Sequence, residues 1–185
     1  MGSINRTRAM VFTAMFTALI AAGAFIRIPV PVCPFTLQFL FTTLAGIFLG
    51  KNRGGAATAL YVLLGLAGLP IFAGGGGLSY VLQPTFGYLL GFILGSYLTG
   101  SITHSGELTT PRLLAGCFAG LAVVYLMGMA YYRLITAVYL HDPIGWGDLL
   151  LYCFVLAVPG DIVLCIVSTL LAKRMMPLIR MGGTA

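Results

Sequence analysis

The sequence predicts an all-α integral membrane protein of six transmembrane helices with structured outer loops, and three observations predict it. Of 185 residues, 59% are hydrophobic and only 8% charged, with a mean hydropathy of +1.03, whereas soluble domains carry about 25% charged residues. The apolar residues fall in runs separated by proline, glycine and polar breaks. Glycine fills 25 positions, nearly twice its usual share of ~7%, as expected where small residues let membrane helices approach closely. No stretch is left over for a soluble domain, so residues 1–185 read as a single membrane domain in the lipid bilayer.

The first apolar run covers residues 10–26. Basic residues ahead of it and small residues near Ala24 also fit a signal peptide, but its length and the runs that follow favour a retained helix. Pro29, Pro31 and Pro34 then forbid regular helix and push their predecessors toward extended backbone. A second run, 37–50, is short for a span and is followed by Lys51-Asn52-Arg53-Gly54-Gly55, which reads as a tight polar turn. The third run is 54–69. A glycine-rich loop at 70–84 precedes the fourth, 85–101, and a polar loop at 103–111 precedes the fifth, 112–135.

The last apolar segment, Leu149–Ala172, is 24 residues long with one charge, Asp161. A carboxylate there costs about 2.5–3.5 kcal/mol on insertion scales, so it faces a cavity or a partner rather than lipid. Val158-Pro159-Gly160-Asp161 has the pattern of a helix start, with proline in the first turn and an acid at the positive end of the helix. The last helix is therefore expected at about 159–180, after a short amphipathic segment. Asp161 then lies toward the proline and glycine loops, as the floor of a ligand pocket.

Six spans place both termini on one side, together with Arg6, Arg8, Lys51, Arg53, Arg112, Lys173, Arg174 and Arg180. The opposite side holds Arg27 and Arg133. Eight against two puts the termini in the cytoplasm and the proline loop, the glycine loop and the connection at 141–143 outside. The net charge of +6 is thus a topology signal, and no nucleic-acid partner is expected.

The chain offers little for catalysis. It has four acidic residues and two histidines, no nucleophile elbow, and no G-x-x-x-x-G-K-[ST] loop for ATP. Cys33, Cys117, Cys153 and Cys165 lack metal-ligand spacing, so neither a metal nor a cofactor is expected, and the protein does not read as an enzyme. Binding residues are better represented. Thr36 and Gln38 offer a hydroxyl and an amide to a neutral polar ligand, although Thr36 also suits a helix cap. The glycines at 74–77, Gly75 among them, permit close backbone approach or form a plain loop. Ser79, Tyr80, Thr85 and Tyr88 add hydroxyls and aromatic faces, while tyrosines are also common belt residues. Arg27 and Arg133 either snorkel to the interface or receive Asp161 or a ligand carboxylate. Ala14, Ala18 and Ala22 form a small-residue stripe that packs within the chain or docks another membrane subunit.

Pro34-Phe35-Thr36-Leu37-Gln38, the glycine run at 74–77, Pro84-Thr85-Phe86-Gly87-Tyr88-Leu89 and Pro159-Gly160-Asp161 together resemble the BioY family, the biotin-binding S-components of energy-coupling factor (ECF) vitamin transporters. The resemblance spans nearly the whole chain. It implies an ECF S-component-like fold in a prokaryotic cell membrane and biotin bound as a transported ligand on the outer side. It also implies partnership with a transmembrane coupling protein and two ATPase subunits, with Ala14, Ala18 and Ala22 similar to the surface that meets the coupling protein. By position, Asp161 is the family's site acid near the ureido end of the ligand, and Gln38, Thr36, Thr85, Tyr88 and the glycine run line the pocket. Two positions depart from the pattern. Leu164 stands where the family's Pro-Gly-Asp-x-x-Lys has lysine, and Ser79 stands where relatives often carry an amide. Arg133 or Arg27 is expected to supply the charge that Leu164 lacks. The same departure leaves open a biotin precursor or another small carboxylic cofactor such as lipoate. A solitary ion-coupled transporter is a further alternative, which calls for more membrane carboxylates than Asp161 alone.

Overall fold

The computed structural model describes residues 2–28, 35–142 and 144–181, with side chains from Arg6 to Met175. Pro29, Pro31, Cys33, Pro34 and Pro143 lie outside the described residues. In chain order the elements are α1 (Gly2–Phe25), β1 (Arg27–Ile28), β2 (Phe35–Thr36), α2 (Gln38–Leu66), a 3-10 turn at Leu78–Leu82, α3 (Phe86–Thr103), α4 (Thr110–Val138), the short α5 (Trp146–Leu150), one π turn at Leu151–Val155, and α6 (Val158–Met181). The fold is mostly helical. The two short strands are an addition to the all-α expectation: they pair antiparallel, Arg27 opposite Thr36 and Ile28 opposite Phe35, and clasp the end of α1 to the start of α2.

Among the described residues, four helical stretches are long and apolar enough to cross a membrane: Arg6–Phe25, Phe86–Thr103, Thr110–Val138 and Trp146–Met175. The chain is a multi-pass membrane protein. α2 differs because Lys51 and Arg53 interrupt its hydropathy, and here the expected polar turn needs correction. Residues 51–55 are helical, and the break falls on Gly50 alone, at φ 76° and ψ 175°. That backbone is open to glycine and strained for other residues. Gly54 sits so close to Gly46 that a Cβ on it would lie 2.7 Å from the Gly46 Cα. In a straight helix eight residues rise about 12 Å, so the two arms of α2 fold side by side. Gly54 serves that contact, which explains why it resembled a turn residue. His104, which ends α3, sets its Nε2 2.8 Å from the Ile47 carbonyl beside the break.

α3 lies between α2 and α4, α1 packs on α2, and α6 contacts both α2 and α4. Glycine makes this layering possible. A Cβ on Gly46 would stand 2.4 Å from the Ser96 carbonyl oxygen, and Gly91 and Gly95 of α3 press against Val124 and Gly120 of α4. Hydroxyls then bridge the helices: Thr17 donates to the Ala57 carbonyl at 3.0 Å, and Thr99 to Gly116 at 2.9 Å. On α1, Phe16, Ile20 and Ala24 are buried, whereas Ala14, Ala18 and Ala22 are exposed. The alanine stripe is therefore not used for packing within the chain.

The amphipathic segment before the last helix is present. Across α5 and the π turn, Leu149 and Cys153 turn inward while Leu150, Leu151, Phe154 and Val155 stay exposed. α6 begins at Val158, with Pro159 and Asp161 in its first turn, as the helix-start pattern predicts.

Candidate functional site

The site grows from four places where a helix begins or ends. The first is the clasp. β2 delivers Thr36 and then Gln38, the first residue of α2, which is buried. The Thr36 hydroxyl donates to Gln38 Oε1 at 3.3 Å, Gln38 Nε2 donates to the Tyr61 hydroxyl at 2.7 Å, and Tyr61 donates to the Ile71 carbonyl at 3.1 Å. This chain runs from the clasp through both arms of α2 to the glycine loop. Thr36 does not cap α2: the N-cap position is Leu37, and no side chain caps it.

The second is the glycine loop, which has a defined shape. Phe72 is inserted against Gly65, edge-on to Tyr61 at 5.4 Å and tilted on Tyr80 at 4.6 Å. Gly75, at φ 121°, closes the turn back to Phe72, with Phe72 N donating to Gly75 O at 2.8 Å. Gly77 N donates to Gly65 O at 2.7 Å. The guanidinium of Arg27 donates to the Ala73 carbonyl and ties this loop to the clasp.

The third is the start of α3, where Thr85 is the N-cap residue. One turn on, Tyr88 directs its hydroxyl toward the Cys153 carbonyl at 3.5 Å, and its ring lies edge-on to Tyr125 at 6.2 Å. The fourth is the first turn of α6. Asp161 is 7% exposed. Tyr125 of α4 donates to Asp161 Oδ2 at 2.5 Å, while Oδ1 is buried without a hydrogen-bond partner among the described residues. Tyr125 is in turn held edge-on by Phe154 at 5.4 Å.

These parts surround one cavity of about 290 Å³, at the small end of the range for small-molecule sites. Its polar lining is Arg27, Thr36, Gln38, Tyr80, Gln83, Thr85, Tyr88, Tyr125 and Asp161, and its apolar wall includes Phe35, Phe39, Leu89, Phe92, Val124 and Ala157. The arrangement combines hydrogen-bond acceptors and donors, aromatic faces and one cation, Arg27, among the described lining residues. Among the described residues no group of three or more His, Cys, Asp or Glu is placed to hold a metal ion.

Of the ten residues expected from sequence to bind ligand, seven line this cavity, and Gly75, Ser79 and Arg133 do not. Of the glycine run, Gly74 lines the cavity while Gly75 shapes the turn. Ser79 is exposed and outside the lining. Arg133 donates to the Ile144 carbonyl and lies over the Trp146 ring at 5.1 Å, away from the cavity. Leu164 is buried in the core. Sequence reasoning missed Tyr125, Gln83, Tyr61 and Phe72. Tyr125 alone had a signal: it lies mid-way along α4, whereas membrane tyrosines concentrate at the interfaces.

The BioY family model matches residues 1–181. The chain is 41% identical over 175 residues to the probable biotin transporter BioY of Lysinibacillus sphaericus, covering 94% of this chain and 89% of that protein. It is 40% identical over 154 residues to the biotin transporter BioY of Thermotoga maritima, covering 77% and 88%. Its fold matches the crystal structure of the S-component for biotin from an ECF-type ABC transporter, with a TM-score of 0.81 and 23% identity over 96% of this chain and 95% of that one. The chain belongs to the BioY family.

Proposed function

We propose that this protein is the substrate-binding subunit of an ECF transporter that imports biotin, and that the cavity at the clasp is where biotin binds. The observation that carries this reading is Asp161. One of its oxygens is held by Tyr125, and the other is buried at the cavity without a partner among the described residues. A buried acceptor of this kind matches a neutral ligand ring bearing N–H donors, because an unmade buried hydrogen bond is costly. The ureido ring of biotin offers such donors, Phe35, Phe39 and Phe92 suit its apolar thioether ring, and Arg27 at the clasp suits the tail carboxylate. Gln38, Thr36, Thr85, Tyr80 and Tyr88 complete the polar lining.

On this reading the two arms of α2 make two of six crossings, both termini are cytoplasmic in a prokaryotic cell membrane, and the cavity faces outward. The exposed Ala14, Ala18 and Ala22 would meet the transmembrane coupling protein, with ATP hydrolysis supplied by two ATPase subunits. Leu164 favours a second reading, in which the same cavity prefers a biotin precursor or lipoate. Titration of the purified protein in lipid nanodiscs with biotin, desthiobiotin and lipoate separates them. The proposal expects saturable binding with biotin tightest. Folded protein that fails to bind biotin would overturn it.

A further inference from the structure

A second concavity lies on the other flank of the bundle, between α1, the first arm of α2 and α6. It has a volume of about 680 Å³ and a wall of apolar side chains, among them Phe12, Phe16, Leu19, Phe41, Leu44 and Leu171. Two charged residues line it, Arg8 and Arg53, and both are exposed. None of the chain's four acidic residues does.

The cations share one end of this groove. α1 runs antiparallel to the first arm of α2: Gly23 lies against Leu37 and Phe41, and Phe16 stacks near Phe48 at 6.1 Å. Continuing that register, Gly50 comes level with Ala14, and Arg53, just beyond it, begins the second arm about 8 Å along the axis from Arg8. Arg8 is held over the Phe12 ring at 5.8 Å, at the lip. From Arg8 to Leu19 the helix rises about 16 Å, and along that length the wall is apolar. The groove therefore has a cationic head and a long greasy body, opening where a bilayer would pass from headgroup to acyl chain.

We infer that this groove is a binding site for an anionic phospholipid, with the phosphate between Arg8 and Arg53 and an acyl chain against Phe12, Phe16 and Leu44. Guanidinium groups bind phosphate bidentately, whereas a zwitterionic headgroup brings a competing cation to the same pair. Lys51, Lys173 and Arg174, exposed nearby in sequence on α2 and α6, add to the field that draws an acidic lipid. The inference does not depend on the biotin reading, since the groove shares no lining residue with the biotin cavity apart from the helices that carry both.

The test is native mass spectrometry of the purified protein released from nanodiscs of equal phosphatidylglycerol and phosphatidylcholine. One phosphatidylglycerol is expected to be retained preferentially. At the usual contribution of a basic residue near a lipid surface, the double variant R8Q/R53Q should lower that preference about 25-fold, while R112Q, outside the groove, should leave it unchanged. Thermal unfolding of the unsubstituted protein in detergent gives an independent reading, with phosphatidylglycerol expected to raise Tm more than phosphatidylcholine. Equal retention of both lipids, or a preference that survives R8Q/R53Q, overturns the inference. So does a photo-crosslinker at Leu171, on the α6 wall of the groove, that in cells captures a protein partner and no lipid.

Discussion

Replacing Asp161 with Asn tests the site at its most informative atom. The substitution keeps the shape of the side chain and an oxygen that Tyr125 can reach, and it puts an uncharged amide NH2, a donor, in place of the acceptor that faces the cavity. Asp161 is 7% exposed, with Oδ2 held at 2.5 Å by Tyr125 and Oδ1 without a partner among the described residues. Ligand N–H groups are therefore expected to meet Oδ1. A hydrogen bond to a charged group contributes about 1.5–3 kcal/mol, which corresponds to a rise in the Kd for biotin of about 10- to 150-fold. Calorimetric titration in nanodiscs measures it, with thermal unfolding as the check that the variant is folded. Tyr125→Phe supplies the second leg. Because Tyr125 acts by fixing the carboxyl, its removal should weaken binding less than D161N does. The double variant should then bind no worse than D161N alone, a coupling expected of residues in contact. A D161N protein that is folded and binds biotin within about twofold of the original would refute this account of the cavity floor, at a level of change too small for any charged hydrogen bond.

Arg27→Ala is expected to weaken biotin binding by roughly two- to fivefold, the scale of an exposed ion pair, whereas Arg133→Ala should leave affinity unchanged in the same titration. The reverse order would move the carboxylate to the α4–α5 junction. Phe72→Ala removes a buried ring from between Tyr61 and Tyr80 and should destabilise the protein by about 3–5 kcal/mol, seen as a lower Tm together with weaker biotin binding. Gly50→Ala places a Cβ on backbone at φ 76° and should cost about 1–3 kcal/mol. Its Tm should fall without a matching change in biotin affinity, because the break lies far from the cavity.

What was legible in the sequence, and what was not, divides by whether a residue's role is set by its own segment. Thr36, Gln38, Thr85 and Asp161 all stand at helix starts, and a helix start is written locally in proline, glycine and the first polar residue. Three such starts, those of α2, α3 and α6, at one end of a membrane bundle place their polar groups near one another without further information. Tyr125 is different in kind. Its significance comes from α4 lying against α6, and nothing near Leu121–Met129 encodes which helix will be the neighbour. The arginines make the same point from the other side. By hydropathy Arg27 and Arg133 were equivalent cations on the outer half, and only tertiary structure separates them. Arg27 is carried to the cavity by pairing opposite Thr36, while Arg133 is taken up by Ile144 and Trp146, residues beyond a turn in which His141 adopts φ 56°. The glycines fail for a third reason: composition does not say which glycine bends and which merely makes room. Lys51–Gly55 looked like the turn because it holds two glycines and two charges, yet one residue, Gly50, makes the bend and Gly54 fills the contact that the bend creates. Leu164 follows from the same logic. On a helix it shares a face with Asp161 three residues earlier, and it is packed into the core. A lysine there would be a buried cation needing Asp161 as its partner. With leucine instead, Asp161 Oδ1 remains available to a ligand, and the positive charge in the cavity lining is left to Arg27.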